Sequence, residues 1–286
     1  MNELTFDQIT FKASHNSYDR KESFSEQLTF NPKEPHNSGC MGLELDIWRH
    51  SSNYKPFESI GANYFTVAHT LLFGSTPLSS FLSEILDWHH RNSQHSIILI
   101  TLDIKSAHGG YDKFHEEIDT YLKCHFDEDL IFKPHQLMKD SSLSLCENVI
   151  KTGWPALSAS EIKGKFIFCL SGNKSWKSEY AKTSLNHRYC FSDQDMSDSD
   201  KAVHPPSNGN IVFFNFHIHN SNKDTWMSSI PPFAQKKLIT RTYISNSETN
   251  WSNCIKANVS AIATDKVSNN SWCKVSNSHG YREKLK

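Results

Sequence analysis

Eight short runs of β-forming residues recur along the chain, separated by stretches that are rich in turns or in helix formers. The runs cover residues 8–14, 42–48, 65–68, 97–104, 165–170, 211–216, 238–244 and 259–264. Strands that alternate with helices pair in parallel, and eight such units predict a closed α/β fold, the (β/α)₈ TIM-type barrel. A further short strand at 189–192 and a polar region at 171–210 leave a distorted or partly open barrel as the alternative.

Helix signals fall between these runs. Thr76 can cap a helix over 77–92 that has Pro77 at its first position and its apolar residues on one face. A second apolar face follows at 114–122, and the spacing of Ser158 and Glu161 matches a capping box before the fifth run. These helices are expected to pack on the sheet.

The chain is long enough for one barrel or for two ordinary domains, with 286 residues. Its apolar fraction of 37% is modest, but 12% aromatic residues argue against disorder. No linker and no internal repeat divides it. We therefore predict a single barrel domain with long polar loops over 1–267, followed by a polar C-terminal tail over 268–286.

Charge and cysteine content narrow the partners and the compartment. The net charge of -1 provides no basic field for nucleic acid. We find no apolar run long enough for a transmembrane segment and no pattern typical of a signal peptide. The seven cysteines contain no C-x-x-C pair, which favours reduced thiols. A cytoplasmic protein, or one exported by a signal-independent route, is expected, and the oligomeric state stays open.

Histidines and acidic residues gather where the first four runs end. In chain order the site candidates there are His15, Asn16, Glu44, Asp46, His69, Asp103 and Lys105. Residues two apart on a strand share a face, so Glu44 and Asp46 project together, and Asp103 projects with Lys105. The three carboxylates should therefore converge inside the barrel.

Buried carboxylates need compensation, and two interpretations are open. One is an internal salt-bridge network with Lys105, Arg241 or Lys12. The other is a metal site, because three carboxylates and the amide oxygen of Asn16 form an all-oxygen set that suits a hard ion, calcium more readily than zinc. The strand ends are where such barrels build active sites, and two histidines beside an ion suit an acid/base pair.

Four segments resemble the calcium-dependent phosphatidylinositol-specific phospholipase C family: His-Asn-Ser-Tyr at 15–18, Gly-x-Glu-Leu-Asp at 42–46, Ala-His at 68–69, and an apolar strand closing on Asp103. The likeness covers about residues 6–105 and continues more weakly at 164–168, 239–243 and 263–266. It implies that His15 is the general base and His69 the general acid.

The resemblance also implies a ligand set and head-group contacts. Calcium, expected ahead of magnesium, would be bound by Asn16, Glu44, Asp46 and Asp103, although family members often have Glu at the last position. Arg241 and Tyr243 resemble the family's head-group contacts, and Lys105 is a candidate phosphate partner.

The implied reaction is the cleavage of phosphatidylinositol to diacylglycerol and a cyclic inositol phosphate. The inositol 2-hydroxyl would lose its proton to His15 and attack phosphorus, and His69 would protonate the departing diacylglycerol. The substrate would be a phospholipid at a membrane surface, so the protein is expected to act as a peripheral membrane protein.

Two other functions fit the same residues. Sphingomyelinase D-like and glycerophosphodiester phosphodiesterase-like barrels also place two histidines and an E-x-D pair around a divalent ion. A barrel without catalysis could instead bind a lipid or a protein partner. Asn16 directly after His15, and Arg241-Thr-Tyr243, favour the inositol lipid, and the presence of both histidines favours catalysis.

Three further signals carry weaker predictions. The pairs His89-His90 and His217-x-His219 are expected to be surface or loop residues. The acidic residues Asp193, Asp195, Asp198 and Asp200 are expected in a solvated loop. Asp265, after the last run, either orients a site residue or starts a turn.

Overall fold

The computed structural model describes residues 3–31, 39–50, 61–71, 74–107, 113–196, 203–268, 270–276 and 280–285. Its strands are β1 (Ile9–Ser14), β2 (Gly42–Arg49), β3 (Phe65–Val67), β4 (Thr76–Pro77), β5 (Ile98–Ala107), β6 (Phe166–Gly172), β7 (Cys190–Asp195), β8 (Phe213–His217), β9 (Ile239–Tyr243), β10 (Ala261–Thr264) and β11 (Tyr281–Glu283). Its α-helices are α1 (Phe24–Leu28), α2 (Leu78–Arg91), α3 (Phe114–His125), α4 (Leu145–Thr152), α5 (Lys174–Lys182), α6 (Lys223–Gln235) and α7 (Glu248–Lys256).

Eight parallel strands close into a barrel, which confirms the predicted fold class. Their order is β1–β2–β5–β6–β7–β8–β9–β10, and β10 pairs back with β1. Strands β1 and β2 meet at one residue pair, Ala13 with Gly42. A Cβ atom on Gly42 would lie 2.7 Å from that of Ala13, so a glycine is what lets the two strands approach here.

One of the eight predicted barrel strands lies outside the barrel, and the additional run at 189–192 supplies a barrel strand in its stead. Strand β3, predicted as the third barrel strand, pairs antiparallel with β2 and β4 and lies outside the barrel, so that prediction was wrong. Its place is taken by β7, from the additional run at 189–192. Strand β7 carries Asp193 into the barrel interior and the buried Ser192 on its opposite face, and these polar residues interrupt the apolar run by which parallel strands are usually found.

The helix predictions were largely confirmed. Helix α2 buries Leu78, Leu82 and Ile85, and α3 buries its predicted apolar face. Thr76 and Pro77 form β4, so α2 begins one residue later than predicted. Residues 158–161 form a turn, and the helix expected from their capping-box spacing does not form there.

Aromatic side chains fill the lower part of the barrel. Phe191 and Phe213 lie two residues before the polar Asp193 and Asn215 on the same strand faces, with ring centroids 5.2 Å apart. Trp154 joins them at 5.7 Å from Phe213. A dense apolar base therefore supports a polar layer at the C-terminal strand ends.

The C-terminal segment packs against the barrel. Within residues 268–286, which were predicted to form a polar tail, β11 pairs antiparallel with β1, and Cys273 and Val275 are buried. No helix within the described ranges combines the length and the apolar character needed to cross a membrane.

Candidate active site

Three carboxylates converge at the C-terminal ends of β2 and β5. The parallel register places Asp46 beside Asp103 and Glu44 beside Thr101. One carboxylate oxygen from each of Glu44, Asp46 and Asp103 lies within 4.8 Å of the others. Glu44 and Asp46 are buried and Asp103 is half-buried. We call these three residues the carboxylate cluster.

Two cations compensate part of this charge. Lys105 Nζ lies 3.2 Å from Asp46 Oδ2 and 2.8 Å from Asp103 Oδ2, while Arg241 Nη2 lies 2.8 Å from Glu44 Oε2. Lys12 is not a partner, because its Nζ donates to the carbonyl oxygens of Val267 and Cys273. The salt-bridge network therefore exists, but its two cations leave one of the three negative charges uncompensated among the described residues.

The cluster retains an oxygen suited to a cation. Asp46 Oδ1 is buried and has no hydrogen-bond partner in the part of the chain that the structure describes. A buried, unpartnered carboxylate oxygen is costly unless something compensates it. The oxygen-only donor set and the residual charge fit a hard divalent ion such as Ca²⁺.

Burial and neighbouring charges move the pKa values of two cluster carboxyls in opposite directions. Burial raises the pKa of Glu44, but Arg241 and His15 outweigh this effect and hold it below its usual value. For Asp46 burial prevails over Lys105 and the Tyr18 hydrogen bond, so its pKa is raised. Asp46 is thus the oxygen donor that most needs a further positive charge.

His15 is oriented by an acid from the other end of the chain. Its Nδ1 lies 2.9 Å from Asp265 Oδ1, and its Nε2 lies 3.9 Å from Glu44 Oε2. If Nδ1–H donates to Asp265, Nε2 carries the lone pair and faces the cluster. Asp265 is fixed in turn by Asn246, whose Nδ2 donates to Oδ2 at 2.5 Å. The hydrogen bond from His15 is the main cause that lowers the pKa of Asp265.

His69 contacts Asp46, the second buried carboxylate of the cluster. Its Nδ1 lies 3.2 Å from Asp46 Oδ2, and its side chain is 68% exposed, whereas that of His15 is 16% exposed. An exposed imidazole beside a carboxylate is free to reach an incoming ligand. The two histidines therefore flank the cluster, one at Glu44 and one at Asp46.

The His-Asn-Ser-Tyr turn at 15–18 forms hydrogen bonds with Glu44 and Asp46. Asn16 has left-handed backbone geometry with φ 45°, and its backbone N–H donates to Glu44 Oε2 at 3.1 Å. Ser17 Oγ accepts from the backbone amide of Glu44 at 2.8 Å. Tyr18 donates its hydroxyl to Asp46 Oδ2 at 2.8 Å. The turn thereby carries both His15 and a predicted ligand to the cluster.

A polar chain that sequence reasoning missed continues around the barrel. Arg241 Nη1 donates to Asn215 Oδ1 at 3.1 Å, and Asn215 reaches Ser171 Oγ at 3.4 Å. Beside them Lys177 forms a buried ion pair with Asp193. Asp193 was expected in a solvated loop, and this expectation was wrong, because β7 carries it into the barrel. The strand-end rule, applied to the run at 189–192, would have found it.

Tyr243 and the pair of His217 and His219 lie at the mouth of the barrel, at the C-terminal strand ends, whereas His89 lies at the opposite end. Tyr243 stacks on the ring of His217 at 4.7 Å and faces His15 at 6.3 Å, so it lies at the mouth. His217 Nδ1 lies 3.0 Å from Nε2 of the exposed His219. His89 is buried against His95, so its assignment to the surface was wrong.

One protein-family model matches this chain by sequence. A sequence model of phosphoinositide phospholipase C, Ca²⁺-dependent, matches residues 73–213, about half of the chain. This stretch contains Asp103 and Lys105, while His15, the E-x-D pair and His69 precede it. No protein in the curated set matches the chain.

Solved structures share the barrel. A calcium-dependent phosphoinositol-specific phospholipase C from Pseudomonas sp. superposes with a TM-score of 0.71 at 17% identity, covering 98% of this chain and 96% of that one. A Ca²⁺-dependent enzyme from Streptomyces antibioticus gives 0.63 at 16% identity, with 92% and 95% covered. A glycerophosphodiester phosphodiesterase from Parabacteroides distasonis gives 0.50 at 11% identity, with 90% and 92% covered. These likenesses show the fold.

The family match lies on the barrel that carries the carboxylate cluster, and that cluster has the oxygen donors that a calcium-dependent enzyme needs. On this match and on the shared barrel, the chain resembles the calcium-dependent phosphoinositide phospholipase C family.

Proposed function

We propose that this protein cleaves phosphatidylinositol at a membrane surface, giving diacylglycerol and a cyclic inositol phosphate, with calcium as cofactor and His15 and His69 as the acid/base pair. One observation carries the proposal: two histidines flank a carboxylate cluster that retains one uncompensated charge and an unpartnered buried oxygen. This arrangement supplies a base, an acid and an ion site within one barrel mouth.

The ligands for calcium would be the carboxylates of Glu44, Asp46 and Asp103 and the amide oxygen of Asn16. Bound there, calcium supplies positive charge that offsets the phosphoryl oxygens and lowers the pKa of a coordinated alcohol. The charge count supports this set, because the cluster's residual negative charge and the phosphodiester's single charge together balance a dication.

His15 would take the first proton. Nε2 accepts the proton of the inositol 2-hydroxyl while the hydroxyl oxygen bonds to phosphorus and the bond from phosphorus to the glycerol oxygen breaks. Asp265 keeps Nε2 available by holding the other ring nitrogen, and it stabilises the imidazolium that forms. His69 gives its proton to the glycerol oxygen. Water then opens the cyclic phosphate with the two histidines in exchanged roles.

Three residues are proposed to bind the substrate. Lys105 is 28% exposed at the mouth, which supports a contact with the phosphate. Tyr243 presents its ring beside His15 and supports stacking on the inositol ring. Arg241 is buried against Glu44 and would act on the head group through its charge.

The decisive experiment measures soluble inositol phosphate released from phosphatidylinositol vesicles. We expect no turnover in excess chelator, recovery as Ca²⁺ is titrated back, and losses of about 10²–10⁴-fold for His15→Ala and His69→Ala. His90→Ala, on the exposed side of α2, is the matched control. Full activity in chelator would contradict the ligand set.

A lipid panel separates the alternatives. Turnover of choline lipids or glycerophosphodiesters with phosphatidylinositol left intact would instead support a sphingomyelinase D-like or glycerophosphodiesterase-like function. Vesicle binding with no turnover of any lipid would favour a non-catalytic lipid-binding barrel.

A further inference from the structure

We propose that Arg20 is a positioning residue that couples the Asp265–His15 pair to the turn bearing Asn16. The inference rests on the proposed function, because it concerns how the general base and a calcium ligand are held in register.

The guanidinium of Arg20 reaches both partners. Its Nη1 lies 3.2 Å from Asp265 Oδ1, the same oxygen that lies 2.9 Å from His15 Nδ1. Its Nε donates to the backbone oxygen of Asn16 at 3.3 Å. The side chain is 18% exposed, so it is held in place rather than extended into solvent. One planar group thus spans the junction between the β1 turn and the end of β10.

Asp265 has little freedom left once Arg20 and Asn246 are in place. Asn246 donates to Oδ2 of Asp265 and also accepts from the Asp265 backbone amide at 2.8 Å. Arg20 and His15 both contact Oδ1. With donors fixed on both oxygens, the Asp265 carboxylate keeps one orientation toward His15. The imidazole ring of His15, the proposed base, is therefore held in one geometry.

The turn at Asn16 also depends on this contact. The left-handed conformation is a minority state even for Asn, which adopts it more readily than most residues other than glycine, so local bonds help to hold Asn16 there. Its backbone oxygen accepts from Asp19 N at 2.9 Å and from Arg20 Nε. Without the guanidinium, one of these two bonds is lost, and the turn that presents Asn16 to the cluster becomes looser.

The variants Arg20→Ala and Arg20→Lys test the coupling, with Lys21→Ala as the matched control. Lys21 is the adjacent cation, 77% exposed, and its ion pair is with Glu22 at 3.9 Å rather than with Asp265. We expect Arg20→Ala to lower kcat about 10–100-fold with KM nearly unchanged, and Arg20→Lys to recover part of it. Lys21→Ala should match the wild type.

Two further readouts separate positioning from simple loss of structure. In an Asp265→Asn background, Arg20→Ala should cost little additional kcat, because both changes act on one carboxylate. Calorimetric titration of Ca²⁺ without substrate should show affinity weakened about three- to tenfold in Arg20→Ala. Unfolding curves of each variant establish that it folds.

The outcomes distinguish the two proposals. If the wild type shows no calcium-dependent turnover, the proposed function fails, and the inference fails with it. If the wild type is active and Arg20→Ala keeps both its kcat and its Ca²⁺ affinity, the inference alone is overturned. A rise in KM at constant kcat would also overturn it, since Arg20 would then be a substrate contact.

Discussion

Asp103 owes its position to a glycine on the neighbouring strand. Gly172, at the end of β6, has φ +76°, and a Cβ atom there would lie 1.9 Å from Asp103 Oδ1 and 2.5 Å from the backbone oxygen of Ile104. An L side chain would meet both the unfavourable conformation and this contact. The absence of a side chain at 172 therefore leaves room for the third carboxylate of the cluster.

Gly172→Ala is expected to displace the Asp103 carboxylate and to weaken Ca²⁺ binding about tenfold or more, which calorimetric titration without substrate would measure. Gly209→Ala is the matched control, because Gly209 has φ +98° with nothing within 4 Å of a Cβ position. It carries the same backbone strain without the contact. Equal Ca²⁺ affinities for the two variants would contradict the assignment of Asp103 to the ion site.

Residues with a local pattern were accessible from the sequence, and residues that act through distant contacts were not. Glu44 and Asp46 are two apart on one strand, and His15 precedes Asn16 at a strand end, so spacing alone marked them. Asp265 lies 250 residues from His15, and only the closed barrel brings them together. No local pattern distinguishes a turn aspartate from one that orients a histidine.

Regular elements were predictable where their apolar faces were regular. Helices α2 and α3 bury residues at helical spacing, and the apolar strands β5 and β6 pair over seven consecutive positions. Strand β7 was harder to assign because it carries the buried, charged Asp193 into the polar interior. Strand β3 has the composition of a barrel strand, but its pairing partners are set by tertiary structure.

The end of α2 contains a pH-sensitive pair. Burial lowers the pKa of His95 to about 4, although its Nδ1 donates to Ser96 O at 2.6 Å. Its Nε2 then accepts from His89 Nδ1 at 3.0 Å, and a proton on Nε2 would break that hydrogen bond. The folded protein therefore binds less proton at His95 than the unfolded chain does between about pH 6.5 and 4.

This contribution to stability is present above about pH 6.5 and is lost as the pH falls toward 4. The free energy of unfolding should drop by about 2 kcal/mol between pH 7.5 and 5 through His95. Urea unfolding at several pH values would measure it. In His95→Gln this part of the pH dependence should disappear, whereas His90→Gln, at the exposed neighbour, should keep it. An unchanged pH profile in His95→Gln would contradict the assignment.

At the scale of the whole molecule, the barrel closes at a narrow seam that also holds the site. Strand β1 leads to His15 and Asn16, and β2 carries Glu44, yet the two strands pair at one position. Below this point β11 pairs with β1 from Ile9 to Phe11. The segment that composition alone marked as a polar tail thus occupies the edge of β1 that β2 leaves open, which only the three-dimensional arrangement reveals.

A chain that ends at residue 279 should therefore be less stable and should bind Ca²⁺ more weakly. It loses the β11 ladder, the bond from Lys284 N to Gln8 O at 2.9 Å, and the bonds from Lys284 Nζ to Asp7 O and Ser260 Oγ. At about 1 kcal/mol for each net hydrogen bond, the free energy of unfolding should fall by about 2–4 kcal/mol in urea titrations. Arg282→Ala keeps the backbone ladder and should behave as the wild type.

Because the freed edge lies on the strand that leads to His15 and Asn16, a loosened seam should also lower Ca²⁺ affinity. A truncated chain with wild-type stability and affinity would show that the β1–β2 pair closes the barrel unaided.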